Sequence, residues 1–227
     1  MNAPLLEQGL YTVGDAARLL RVNPRKIRGW VSGYAQTKAA PIISNDIGWL
    51  EGALAFSFTN LMEMRFIQHF AALNVRVASI RAMAEEAVRI LKHPHPFATE
   101  TVFHTDGRKI FADIADVTGD RRLYDLRAKN WAMLEVIQQS LHEGVSYNPS
   151  GEAISWRPRT EFRDVIIHPT VAFGQPTIRD TGIPTRTLYE AFQAEEEDFD
   201  TVAKWYDLPA ACVREAVRFE LQLAMAA

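Results

Sequence analysis

The stretch that most constrains this chain is YTVGDAARLLRVNPRKIRGW, residues 11–30. Thr12 is a good N-cap because its hydroxyl can accept a hydrogen bond from an orphan N–H of the first helical turn. Behind it, Val13, Ala16, Ala17 and Leu20 recur at i, i+3, i+4 and i+7, one face of a short helix. Arg21 and Val22 leave room only for a tight turn. Asn23 then caps a second helix, with Pro24 at its first position, where the missing N–H costs nothing. Ile27, Trp30, Val31 and Tyr34 form the inner side of that helix, and Arg25, Lys26 and Arg28 remain outside. Two short helices, one tight turn and a basic outer face make a helix-turn-helix pattern.

The charge distribution agrees. The formal net charge is only −3, but it is split unevenly. Arg18, Arg21, Arg25, Lys26 and Arg28 fall between positions 18 and 28 with no acid among them. Glu190, Glu195, Glu196, Glu197, Asp198 and Asp200 fall between 190 and 200 with no base. A basic start and an acidic end point to different partners. A helix fits the major groove, and Arg and Lys reach phosphates and guanine edges. The phrase quoted above resembles the opening of MerR-type winged-helix regulators. That resemblance implies a wing after the second helix, placed here at residues 41–49 (PIISNDIGW), and a helical pair behind it. The candidate DNA-contacting residues are Thr12, Arg18, Arg21, Asn23, Arg25, Lys26, Arg28, Tyr34 and Lys38.

The middle of the chain reads as a capped helix starting near Thr59 with the stripe Met62, Phe66, Phe70 and Leu73. A second helix follows, with Val77, Ile80, Ala84, Val88 and Leu91 on one face, ended by Pro94. Asp106-Gly107 signals a hairpin, residues 122–143 a helix, and 148–151 the turn of a second hairpin. His93 and His95 sit two apart with His104 near. They end a helix in a His-Pro-His-Pro turn and lack the four placed ligands of a structural zinc, so no metal is assigned. Residues 157–164 (RPRTEFRD) read as an interdomain linker, so the two ends of the chain are expected to be separable.

Beyond that linker a short strand ends at Ile167, and His168-Pro169 opens a turn rich in Pro, Gly and Thr. Helices then follow from Thr187 to Ala194, after a cap at Asp200, and after an Asp207-Leu208-Pro209 turn. Cys212, Val213, Ala216 and Phe219 line the last of them. The sequence from VIIHPTVAFGQPTIRDTGIPTRTLYEAF to VAKWYDLPAACVREAVRFE resembles the short C-terminal module of domain of unknown function family 433. The resemblance implies a VapB-like antitoxin whose partner is a PIN-like ribonuclease toxin. Longer members resemble this chain from its MerR-like start to this end. The candidate toxin-contacting residues are Arg179, Glu195, Glu196, Asp198, Trp205, Tyr206 and Phe219.

The expected fold is mainly α with small β hairpins. A MerR-like winged helix-turn-helix with its helical pair occupies 1–95, a middle α+β region 96–157, and a small helix-turn-helix-like antitoxin module 158–227. No G-x-S-x-G, P-loop or dinucleotide glycine fingerprint is present, so no catalytic residue, enzyme activity or cofactor is assigned. One cysteine, Cys212, precludes an internal disulfide and fits a reducing cytoplasm. No apolar run approaches a membrane span. The expected function is a type II antitoxin that neutralises a PIN-like toxin and represses its own operon as a homodimer on operator DNA. The alternative is an effector-responsive MerR-type regulator with no toxin partner.

Overall fold

The computed structural model describes residues 7–34, 38–100, 113–121, 123 and 141–225. A two-residue strand β1 (Tyr11–Thr12) runs straight into α1 (Val13–Leu20), and α2 (Pro24–Ser32) follows. Both caps form. The Thr12 hydroxyl accepts from Asp15 N at 3.2 Å while the Asp15 carboxylate accepts from Thr12 N at 3.0 Å, a reciprocal capping box. Asn23 accepts from Arg25 N at 2.9 Å. Arg21 turns the chain by adopting φ 54°, and Val22 N then bonds back to Ala17 O at 3.0 Å. Ile27 and Trp30 of α2 are buried against Ala16, Ala17 and Leu20 of α1.

The β element expected at residues 41–49 lies later in the chain. It is the hairpin β2 (Gly48–Leu50) and β3 (Ala53–Phe56), with β3 central between β1 and β2 in an antiparallel sheet. Its turn is Glu51-Gly52, both at positive φ (48° and 81°), the backbone of a two-residue hairpin loop. A glutamate there hides the signal that asparagine or aspartate would give. Residues 41–49 are mostly the irregular approach, in which Ile42 and Ile43 are buried and their N–H groups bond Trp30 O.

Helix α3 (Phe58–Ala72) is capped by Ser57, whose hydroxyl accepts from Asn60 N, two residues before the expected cap. Helix α4 (Val77–Leu91) buries Ile80, Met83, Ala84 and Ala87. Val88, placed on that face from periodicity, is exposed instead, because the stripe rotates through Met83 and Ala87. Phe66 stacks on Phe97 at 3.8 Å between ring centroids. The hairpin expected at Asp106-Gly107 and most of the helix expected at 122–143 lie outside the described residues.

A second antiparallel sheet runs β4-β5-β6-β7: β4 (Val145–Tyr147), β5 (Ala153–Trp156), β6 (Val165–Ile167) and β7 (Pro176–Ile178). Three helices then pack together: α5 (Thr185–Ala194), α6 (Phe199–Tyr206) and α7 (Ala210–Ala224). Asp198 caps α6 by accepting from Asp200 N at 2.9 Å, so the cap falls two residues before the expected Asp200.

The second sheet spans the division expected at residue 157. Trp156 of β5 pairs with Ile167 of β6, so one sheet joins the two supposed domains. The connecting segment is not a free linker: Phe162 is fully buried and meets the Phe219 ring edge-on at 5.5 Å. Contacts also cross the boundary at 95: the Phe66 ring stacks on Phe97, and Arg65 donates to Glu143 O at 3.1 Å. The ends of the chain also touch. Leu10 N donates to Phe173 O at 2.9 Å, and the Tyr11 hydroxyl donates to Gly174 O at 2.8 Å. Gly174 has φ +82°, and a Cβ there would overlap the Tyr11 phenol.

Two outcomes follow from this joint. Gly174→Ala combines a left-handed backbone with that overlap and is expected to cost ~2 kcal/mol or more, read as a lower denaturation midpoint of the full chain. A fragment beginning at Arg157 loses β4 and β5 and uncovers buried Ile167, so it is expected to lack a cooperative thermal transition. A sharp transition matching that of the whole protein would count against the shared sheet.

Candidate nucleic-acid interface

Sequence reasoning offered nine basic or polar residues as one DNA surface, and the fold divides them. Arg25, Lys26 and Arg28 are exposed on the outer side of α2, opposite buried Ile27, Trp30 and Val31. The rigid entry by Asn23 and Pro24 fixes where that side faces. The other members have different work. The Thr12 and Asn23 oxygens are committed to their own helix caps. Arg18 pairs with Asp15 at 2.7 Å and lines a cleft of about 130 Å³ together with Thr185, Arg186 and Glu220 of the C-terminal helices. Arg21 also turns that way, its guanidinium donating to Gln222 Oε1 at 3.2 Å. The i to i+7 register places Arg18 and Arg25 on different helices across a turn, so nearness in sequence did not put them on one face. Tyr34 is half-buried with its ring laid over Gly29, and Lys38 is exposed at φ 52°.

The β2–β3 hairpin carries Trp49, 74% exposed, and the approach to it is held by a polar cluster that sequence reasoning missed. His95 Nε2 lies 2.9 Å from Asp46 Oδ1, and its Nδ1 lies 3.0 Å from Glu63 Oε2. Asn60 donates to Ser44 O at 2.7 Å and accepts from Asp46 N at 3.0 Å, while Ser57 donates to Asp46 Oδ2 at 2.6 Å. The cluster thus ties the approach to the wing, the start of α3 and the turn after α4. Burial alone would lower the His95 pKa, but hydrogen bonds to Asp46 and Glu63 and their charges outweigh it and push it up to about 10. Burial likewise acts to raise Asp46, yet the bonds from His95 and Ser57 hold its carboxyl below the usual range. Glu63 is almost fully buried, and burial raises it. One signal was available in the sequence: Asn60 and Glu63, three apart on an otherwise apolar helix face. His93 accepts from His95 N at 3.1 Å, and His104 lies outside the described residues.

The residues offered as toxin contacts also divide. Phe219 is a correction: it is 1% exposed, packed on Phe162 in the core, and unavailable to a partner. Asp198 is exposed but serves as the α6 cap, also accepting from the Thr201 hydroxyl at 2.6 Å. Arg179 donates to Arg163 O at 2.9 Å across the sheet. Tyr206 is half-buried against the core. Trp205 is 60% exposed, and Glu195 and Glu196 directly follow α5, Glu196 exposed and Glu195 half-buried. Among the described residues, no helix is long and apolar enough to cross a membrane.

Residues 165–219 match a family model described as "Protein of unknown function (DUF433)", which covers the C-terminal module. No curated protein matches the chain. A crystal structure of Rv2018 from Mycobacterium tuberculosis is similar in fold, with a TM-score of 0.73 and 20% sequence identity. The similarity covers 96% of this chain and 98% of that one.

The polar cluster makes a pH-resolved expectation. The His95 pKa in the fold lies above its unfolded value of ~6.5, so its contribution is fully present below that pH and is lost as pH rises through about 10. His95→Gln leaves Glu63 buried without its counter-charge and is expected to cost ~3 kcal/mol at pH 6. Denaturation from pH 6 to 10 should show the wild type losing its advantage over the variant as pH rises.

Proposed function

We propose that this chain is a sequence-reading DNA-binding protein that also acts as an antitoxin. Its α2 enters the major groove of operator DNA, and its C-terminal module holds a PIN-like ribonuclease. The observation that carries the reading is the outer face of α2. Arg25, Lys26 and Arg28 project from a helix capped by Asn23, with no carboxylate paired to them among the described residues, and a β hairpin follows that helix in the chain. Guanidinium groups on such a helix suit bidentate contact with guanine edges, and a lysine suits phosphate. A single unit of this size covers a short footprint, so a homodimer on two half-sites completes the proposal.

The antitoxin half rests on the resemblance to family 433 and on the exposed chemistry of α5 and α6. Glu196, Glu197 and Trp205 offer charge and an aromatic anchor to a basic, RNA-binding nuclease face. The hydrogen bond from Tyr11 to Gly174 links the two ends of the chain, which supports a route by which toxin binding alters DNA binding.

Arg25→Ala and Arg28→Ala are each expected to weaken binding to the DNA upstream of the chain's own reading frame by ~1–3 kcal/mol and to relax specificity. Arg18→Ala, whose side chain faces the C-terminal helices, is expected to leave that affinity nearly unchanged. Gel shifts on the three variants decide the assignment. Equal losses in all three, or none in any, would remove α2 from the groove. Glu196→Lys/Trp205→Ala is expected to abolish co-purification with the product of the neighbouring reading frame while leaving the DNA shift intact.

A further inference from the structure

Between the end of α1, the solvent side of α3 and residues 157–161 lies a cleft of about 270 Å³. Four arginines line it: Arg21, Arg65, Arg157 and Arg159. The two carboxylates on its wall, Glu143 and Glu161, belong to exposed residues. The guanidinium groups are held mainly by neutral oxygens. Arg65 donates to Leu141 O and to Glu143 O, and lies over the Trp156 ring at 5.5 Å. Arg159 donates to Pro158 O at 3.1 Å and to Leu19 O at 3.4 Å. Arg157 has a buried Nε with no hydrogen-bond acceptor among the described residues. Neither Arg157 nor Arg159 forms an ion pair among them.

Burial and the charge of Arg21 both hold the Arg159 guanidinium below its usual range, against the pull of Glu161. Burial brings Arg65 down to about 10. Four guanidinium groups lining one cleft, two of them partly desolvated and one with a buried N–H that lacks an acceptor, suit a site whose counter-charge comes from outside the chain. A planar guanidinium fork matches the paired oxygens of a tetrahedral oxyanion better than any single carbonyl does. A cleft of about 270 Å³ suits a small ion or a single phosphate group, and Arg21, which lines it, also donates to Gln222 Oε1 at 3.2 Å.

We propose that this cleft binds a phosphate-type oxyanion, either the free ion or the phosphate group of a small molecule. Arg157 and Arg159 supply the forks, and Arg65 supplies a fixed positive wall behind them. The site joins the helix-turn-helix to α3 and to the strand connection, so occupancy ties those three elements together. The inference does not depend on DNA binding or on a toxin.

Calorimetric titration of the full chain with inorganic phosphate and with adenosine monophosphate, at ionic strength held constant with sodium chloride, tests it. One site per chain is expected. Arg157→Gln/Arg159→Gln is expected to weaken it about tenfold or more, the loss of at least one charge-assisted bond. Tighter binding of the nucleotide assigns a carried phosphate, and equal binding assigns the free ion. Without ligand, the double variant is expected to melt no lower than wild type, because it relieves like-charge crowding. Three results would overturn the proposal. They are no phosphate-type binding by wild type, an unchanged affinity in the variant, or a variant that melts well below wild type without ligand. A DNA duplex bound by wild type and lost by the double variant would also overturn it, by giving the arginines to the DNA backbone.

Discussion

The hydroxyl of Tyr11 donates to the carbonyl of Gly174, and much of the molecule depends on that bond. Tyr11 is buried, so its phenol needs an acceptor; burial and nearby Asp15 keep it protonated by raising its pKa far above the ordinary range. Gly174 can supply the acceptor only because it lacks a Cβ and sits at positive φ. The contact brings the first strand against the turn before β7. The same strand pairs with the wing, and Thr12 at its end caps α1. One residue stretch therefore sets the position of α1 relative to both the β2–β3 hairpin and the turn before β7.

The second organising element is the charge cluster around His95. A buried carboxylate such as Glu63 is costly unless paired and hydrogen-bonded. Here the imidazole and the Asn60 amide satisfy it, and Asp46 takes the other ring nitrogen. The geometry fixes the approach to the wing against α3. The basic face of α2 thus stands on a frame locked at two ends, by a neutral hydrogen bond and by an ionic one. Preorganisation of this kind lowers the entropy lost when a helix enters a groove.

Local chemistry was legible in the sequence where a residue acts on its near neighbours. Thr12, Asn23 and Pro24 place both helices of the helix-turn-helix correctly, because a cap acts over three residues. The hairpin at 148–151 forms as its turn residues demand, with Asn148 Oδ1 accepting from Ser150 N and Glu152 N. What was not legible depends on partners far away in sequence. The stretch 157–164 looks like a linker by its charge and proline content, yet Phe162 inserts into the core against Phe219. Arg18 and Arg21 belong to a basic run in the sequence, yet α7 lies against them and claims them. The pairing of His95 with Asp46, 49 positions earlier, leaves no local trace. Of the residues offered for DNA contact, Arg25, Lys26 and Arg28 are exposed on the outer face of α2, the Thr12 and Asn23 oxygens serve helix caps, and Arg18 pairs with Asp15.

The account stands on α2 acting as a sequence-reading helix. The most direct measurement is the affinity of the full chain for the duplex upstream of its own reading frame, and for a shuffled duplex of equal length, across a salt series. The account predicts a linear fall of log affinity with log salt, with a slope of ~−0.9 for each phosphate neutralised, and a preference of 10³-fold or more for the natural duplex. Equal affinity for both duplexes, or no binding to either at low salt, would contradict it.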